Sequence, residues 1–194
     1  MQTFSAKLDH AARNLQVVKD TGYASHVEAA IALLLASFKS GGKLLVCGNG
    51  GSAADAQHIC GELVGRFLIN RAPLSAIALS SDASVVTAWG NDFEFETIFS
   101  RQVEAHGKPG DTIWGISTSG NSKNVVRALE MARKMQLRTV GLTGEGGGLV
   151  AAHCDVLMAV PLKSTPDIQE IHLMTYHYIC AGVESALFGE GKNG

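Results

Sequence analysis

Two residues four positions apart, His58 and Glu62, carry side chains that are well suited to chemistry. Residues at i and i+4 of a helix lie on one face, about one turn apart. An imidazole and a carboxylate placed in this way can bind a metal ion or exchange protons with a substrate. The same spacing is common on ordinary surface helices, where the histidine is merely hydrogen-bonded and the carboxylate solvated. The pair by itself therefore leaves both interpretations open.

The sequence around this pair changes from strand to loop to helix within residues 43–67. An apolar run at 44–47 predicts a strand that is covered on both faces. A helix follows, and we expect Ser52 and Asp55 to form a capping box in its first turn. A helix start that faces a glycine loop offers free N–H groups and a positive dipole end, which suits a phosphate. The loop consists of residues that allow a close approach of the backbone to a ligand: Gly48, Asn49, Gly50 and Gly51.

A second strand, loop and helix repeat this arrangement with hydroxyl groups in place of glycines. The strand is predicted at 112–116, and the helix is marked by apolar spacing from about residue 125. A Ser/Thr cluster before a helix usually only caps it, but four hydroxyls exceed what capping needs. Together with backbone N–H groups they predict a phosphate site. The hydroxyl residues of this loop are Ser117, Thr118, Ser119 and Ser122.

Two further segments contain polar residues that could join a site. Asn91 and Asp92 follow Gly90, where a helical stretch is expected to break. They are either an ordinary turn or a place to hydrogen-bond sugar hydroxyls.

The last predicted helix begins near residue 165 with a proline in its first turn and runs to Phe188. His177 stands seven residues after Glu170 and eight after Gln169. Because seven residues are nearly two full turns, spacing by itself favours Glu170 as the companion of His177.

The order of elements predicts an α/β fold, a doubly wound five-stranded parallel sheet flanked by helices. Further strands are expected at 75–79, 139–142 and 156–160. In such sheets ligands bind at the carboxyl ends of the strands, where both loops lie. The whole chain, 1–194, is expected to form one domain, with an N-terminal helical region (1–40), an α/β core (41–188) and a frayed tail (189–194). The two N-terminal helices must cover either their own sheet or matching helices of another subunit.

Composition excludes several classes of protein. The chain has 194 residues, a net charge of −2 and 46% hydrophobic residues, with no block of like charges that would indicate nucleic-acid or membrane binding. No leader or membrane span is recognisable, and four scattered cysteines are expected to be buried free thiols, so we expect a cytoplasmic protein. The glycine loop matches a loose dinucleotide pattern, but the acidic residue and the Walker lysine of nucleotide sites are missing.

Three blocks of sequence, in this order, resemble the sugar isomerase (SIS) domain family, and within it the phosphoheptose isomerases. The blocks are Gly48–His58 (GNGGSAADAQH), Ser117–Ser122 (STSGNS) and Ile168–His172 with His177, and the resemblance extends from Lys43 to Phe188. It implies a flavodoxin-like fold and an enzyme that interconverts sedoheptulose 7-phosphate and D-glycero-D-manno-heptose 7-phosphate, an early step toward the heptose of lipopolysaccharide. It also implies homotetramers, packed through the N-terminal helices, with active sites between subunits.

The resemblance implies roles for individual residues. Glu62 would act as the base and His177 as its acid/base partner in an enediol mechanism. One zinc ion per subunit would be held by His58, Glu62, Gln169 and His177, so the resemblance selects Gln169 where spacing favours Glu170. Substrate would be bound by Asn49, Gly50, Gly51, Glu62, Asn91, Asp92, Ser117, Thr118, Ser119, Ser122 and Gln169.

Relatives of the same fold suggest two alternatives without catalysis. One is a tetrameric scaffold that binds the replication initiator protein, and the other is a module that senses sugar phosphates. A scaffold needs no paired Glu62 and His177, and no additional binding domain accompanies the fold, so the sequence favours the enzyme. The sequence leaves open whether the heptose would enter lipopolysaccharide, capsule or another glycan.

Overall fold

The computed structural model describes residues 3–189 and contains one sheet of parallel strands, as predicted. The strand order is β2-β1-β3-β4-β5, and every neighbouring pair is parallel. The order reverses between β1 and β3, which creates the switch point where doubly wound sheets bind ligands. The strands are β1 (Leu44–Cys47), β2 (Ala76–Ala78), β3 (Thr112–Ser117), β4 (Arg138–Thr143) and β5 (Val156–Ala159).

Seven α-helices precede, connect or follow these strands within the described residues, and two short 3-10 helices lie at Phe95–Thr97 and Gly148–His153. None of the described helices combines the length and the apolar character needed to cross a membrane. The α-helices are α1 (Phe4–Lys19), α2 (Tyr23–Lys39), α3 (Gly51–Val64), α4 (Ala83–Asp92), α5 (Ile98–His106), α6 (Lys123–Lys134) and α7 (Thr165–Phe188).

The sheet is buried on both faces, which explains why β1 is apolar without alternation. Leu44 and Val46 of β1 point into one core layer, which is closed by α2, α3 and α7. Leu45 and Cys47 point into the other layer, which is closed by α5 and α6. Successive side chains of a strand leave opposite faces, so one short strand supplies both layers.

The two N-terminal helices differ in what they cover. Helix α2 packs on the sheet of its own chain, with Leu34 fully buried. Helix α1 contributes Val18 to the core but leaves Phe4 and Leu8 exposed. Its contact with α7 is polar, since Lys7 and His10 both bond Asp167. The sheet of the same chain therefore accounts for α2 and not for the apolar side chains of α1.

Several local predictions were wrong or incomplete. The capping box is absent, because α3 begins at Gly51 after Gly50 (φ 54°) and has no side-chain cap. The break at Gly90 is also absent, since α4 continues to Asp92. Cys154 is only half-buried, although the other three cysteines are buried and all four are free thiols. Of the predicted tail, 190–194 lies outside the described residues.

Candidate active site

Three side chains from two helices converge on one point. His58 Nε2 lies 3.0 Å from Glu62 Oε1, because α3 places the two residues one turn apart. His177 Nε2, from α7, lies 3.4 Å from His58 Nε2. One ligand atom from each of the three residues lies within 4.8 Å of the others. The structure thus joins an imidazole and a carboxylate that are close in sequence to a second imidazole that is distant.

Aromatic side chains hold both imidazoles in place. The Tyr176 hydroxyl hydrogen-bonds His58 Nδ1 at 3.0 Å. The Phe67 ring stacks on His177, with centroids 5.5 Å apart. Because Nδ1 of His58 is engaged by the tyrosine, its Nε2 is the atom presented to Glu62 and His177. Fixing one ring nitrogen in this way sets the tautomer and orientation that the other nitrogen offers.

Gln169 lies against the start of α3. Its amide nitrogen donates a hydrogen bond of 2.9 Å to Asp55 Oδ2, so its amide oxygen is left as an acceptor. Burial raises the pKa of Asp55, and the hydrogen bond from Gln169 offsets part of that rise. A β-carbon at Gly51 would lie 2.6 Å from the Gln169 amide nitrogen, so a larger residue at this position would push the Gln169 side chain aside.

Glu170 points elsewhere and forms an ion pair of 3.0 Å with Lys7 of α1. It is not a member of the His58, Glu62 and His177 cluster. The preference for Glu170 that came from spacing is therefore wrong. Helix spacing predicts only how two side chains of one helix are oriented relative to each other. Here the contacts of α7 with α1 and α3 decide which way each side chain faces.

The two loops predicted to bind phosphate lie beside each other after β1 and β3. In the hydroxyl loop, the Ser117 hydroxyl lies 2.9 Å from that of Ser122 and 3.4 Å from that of Ser119. In the glycine loop, the Asn49 side chain exchanges two hydrogen bonds of 2.8 Å with Asn124 of α6. Helices α3 and α6 both begin at this edge of the sheet, which places their positive dipole ends beside the two loops.

Asn91 and Asp92 are less closely tied to the rest. They lie exposed in the last turn of α4, and Asn91 Nδ2 donates to Asp92 Oδ1 at 2.9 Å. Within residues 3–189, this is the only side-chain hydrogen bond that either of them makes. The described contacts do not bring them to the other candidate residues.

Comparison with known proteins shows which family the chain belongs to. The SIS domain family matches residues 8–144, more than half of the chain. A phosphoheptose isomerase from Crocosphaera subtropica is 51% identical over 183 residues, which cover 94% of this chain and 93% of that protein. One from Trichlorobacter lovleyi is 51% identical over 191 residues, with coverage of 97% and 96%. The chain belongs to the phosphoheptose isomerase family. A solved phosphoheptose isomerase from Neisseria gonorrhoeae is 40% identical, with a TM-score of 0.88 over 94% of this chain and 97% of that one.

Membership of the phosphoheptose isomerase family makes this chain an enzyme of the isomerase class, which the sequence favoured over a scaffold or a sensor. The clustered His58, Glu62 and His177 supply what such an enzyme needs, since a carboxylate and an imidazole within reach of each other can move protons.

The side-chain donors of the His58, Glu62 and His177 cluster fit a zinc ion. Zinc in proteins takes imidazole nitrogen and carboxylate oxygen, and His58, Glu62 and His177 offer one such atom each. The free amide oxygen of Gln169 is a weaker kind of ligand than any of these three. The three clustered residues therefore suit zinc as strong donors, whereas the described contacts of Gln169 are with Asp55 and not with this cluster.

The sequence pattern did not predict the residues that support the candidate site from behind. Helix spacing gives no signal for Tyr176, because adjacent residues of a helix do not share a face, and the sequence pattern predicts Asp55 as part of a capping box. Asn124 was not considered at all. The one available signal is residue type, since Asp55 and Asn124 are polar residues near the predicted starts of helices that follow the two loops.

Proposed function

We propose that this protein is an aldose–ketose isomerase that converts D-sedoheptulose 7-phosphate to D-glycero-D-manno-heptose 7-phosphate. Its membership of the phosphoheptose isomerase family supports the substrate. The observation that carries the chemistry is the meeting of Glu62, His58 and His177 within 4.8 Å. The product would enter heptose synthesis for the lipopolysaccharide core.

The reaction moves a carbonyl from C2 to C1 of the sugar through an enediol. In our proposal Glu62 removes the proton from C1 and returns it to C2. His177 transfers the proton between the two oxygens, acting as acid and then as base. The Tyr176 hydrogen bond and the Phe67 ring hold the imidazoles in position while these protons move.

Substrate binding is assigned to the two loops and to neighbouring polar residues. The hydroxyl loop, with Ser117, would hold the phosphate, so that binding energy far from the reacting carbons fixes their position. Asn91 and Asp92 would hydrogen-bond sugar hydroxyls. The further residues proposed to contact the substrate are Asn49, Gly50, Gly51, Glu62, Thr118, Ser119, Ser122 and Gln169.

We extend the proposal to one zinc ion per subunit, held by His58, Glu62, Gln169 and His177. A bound zinc ion would polarise the substrate carbonyl and stabilise the charge of the enediolate. The two imidazoles and the carboxylate within 4.8 Å of one another support this assignment.

We also propose that the enzyme is a cytoplasmic homotetramer with active sites between subunits. The exposed apolar side chains of α1, and the absence of any buried residue in α4, support a partner on these surfaces. Four free thiols support a reducing compartment. A small sugar phosphate would be the ligand, with no nucleic acid or membrane partner.

The test is turnover of sedoheptulose 7-phosphate by the purified protein, with and without a chelator. We expect Glu62→Gln and His177→Asn each to lower kcat by about 100-fold or more, since each removes a proton-transfer group. Loss of activity with chelator, restored by zinc, would support the metal.

The chain offers a matched control for these two variants. His153 and Glu130 form a histidine–carboxylate pair of 3.6 Å at the surface. Glu130→Gln and His153→Asn should therefore keep the wild-type rate. A folded wild-type protein that binds the sugar phosphate but does not isomerise it would refute the proposal.

A further inference from the structure

We propose that Asn124 is a positioning residue that holds the two substrate loops in a fixed position relative to each other. The glycine loop is defined here as residues 48–51 and the hydroxyl loop as residues 117–122. What the loops bind rests on the proposed function above, whereas the link between them is a property of the fold.

The link is a reciprocal pair of amides. Asn49 Nδ2 donates to Asn124 Oδ1, and Asn124 Nδ2 donates to Asn49 Oδ1, both at 2.8 Å. Asn124 lies in the first turn of α6 with only 4% of its surface exposed. Its Oδ1 also accepts a hydrogen bond of 3.0 Å from Val125 N, which fixes the side chain to the start of its own helix.

The fold needs such a link because the pairing between β1 and β3 does not extend into the two loops. The ladder between β1 and β3 runs only as far as Cys47 and Gly115. Within residues 3–189, no other hydrogen bond joins the glycine loop to the hydroxyl loop or to the start of α6.

The pair also changes the role of Asn49. One donor and one acceptor of its amide are engaged by Asn124, so the orientation of the side chain is fixed within the protein. We infer that Asn49 serves the substrate through the backbone of the glycine loop rather than through its amide. An uncharged amide pair suits this place, because a carboxylate at either position would repel a phosphate and set two oxygens against each other.

A double-mutant cycle tests the link. The variants are Asn49→Ala, Asn124→Ala and the double variant, and the measurements are kcat, KM for sedoheptulose 7-phosphate, Kd for inorganic phosphate, and Tm. We expect each single variant to raise KM and Kd and to lower kcat/KM by about 10- to 100-fold, because small displacements of positioning groups have effects of this size. The double variant should lose no more than the more damaged single variant.

A matched control separates positioning from general stability. The Ser37 hydroxyl donates a buried hydrogen bond of 2.6 Å to the Gly110 carbonyl, at the opposite edge of the sheet. Ser37→Ala should lower Tm and leave KM and phosphate Kd unchanged. Asn124→Ser, which keeps a hydroxyl at the helix start but cannot span to Asn49, should raise KM even if Asn124→Ala does not fold.

Additive losses in the cycle would overturn the proposal, because Asn49 would then act independently of Asn124. A lower Tm with unchanged KM and Kd in folded Asn124→Ser would also overturn it, since Asn124 would be purely structural. If the wild type shows no turnover, the proposed function fails, but the cycle in phosphate Kd and Tm still tests the link.

Discussion

Three of the candidate site residues, His58, Gln169 and His177, are each held by a neighbour that is not assigned a part in the chemistry. Tyr176 hydrogen-bonds His58, Asp55 accepts from Gln169, and Phe67 stacks on His177. Side chains with free rotation would lose their alignment between turnovers, and these contacts remove that freedom.

Another histidine of α7, His172, is fully buried in the core and plays a different part. Its Nε2 donates to the Thr143 carbonyl at 3.1 Å, and its Nδ1 has no partner among the described residues. Burial lowers the pKa of His172 to about 4, although the hydrogen bond to Thr143 acts in the opposite direction. The folded protein therefore keeps this imidazole neutral at pH values where the unfolded chain protonates it.

The difference between the pKa of His172 in the folded protein and in the unfolded chain fixes the sign of the pH dependence of stability. Below about pH 6.5 the unfolded chain binds the extra proton, so the free energy of unfolding falls by up to about 3 kcal/mol as pH drops toward 4. The His172→Asn variant should lack this part of the change in the free energy of unfolding with pH, measured by urea unfolding at pH values between about 6.5 and 4. The exposed His106→Asn variant should keep it, and equal slopes in all three proteins would contradict the assignment.

At the scale of elements, α7 fixes the loop that follows α3. Glu184 accepts hydrogen bonds from the backbone N–H groups of Phe67, Leu68 and Ile69 and from Arg71 Nε. Burial alone would raise the pKa of Glu184, but the N–H groups of this loop lower it below its usual value. The same contacts place the Phe67 ring against His177.

Glu184→Gln should destabilise the protein by about 3 kcal/mol or more, because it leaves the buried Arg71 guanidinium without its counter-charge. Activity should fall as well, since the loop that carries Phe67 loosens. Urea unfolding and turnover are the measurements. Glu104→Gln removes an exposed ion pair with Arg101 and should cost less than about 1 kcal/mol. Equal losses in the two variants would refute the role given to Glu184.

At the scale of the whole molecule, the single chain leaves apolar surface uncovered. Phe4 is 77% exposed on α1 and Phe93 is 60% exposed after α4. Sedimentation at micromolar concentration should give a mass of about four times the 20.4 kDa chain. Leu8→Glu should shift the protein to smaller species, and Lys134→Glu, at the exposed end of α6, should not. A stable wild-type monomer would contradict the proposed shared sites.

The sequence by itself determined the order of elements, the all-parallel sheet and the positions of both loops. Apolar periodicity and glycine or hydroxyl clusters are local signals, and they encode which face of an element is buried. The His58 and Glu62 pair could be predicted from the same kind of local signal, because both residues belong to one helix. Predictions at helix ends were weaker: α4 continues through Gly90, and α3 begins without the expected cap.

Only the tertiary structure decided which residues of different elements meet. It brought His177 to His58, turned Glu170 toward Lys7, and paired Asn49 with Asn124. Helix periodicity gives the direction of a side chain around its own axis, but not the tilt and rotation with which that helix packs on another. Those are set by the packing of the whole core, so contacts between distant residues cannot be deduced from spacing along the chain.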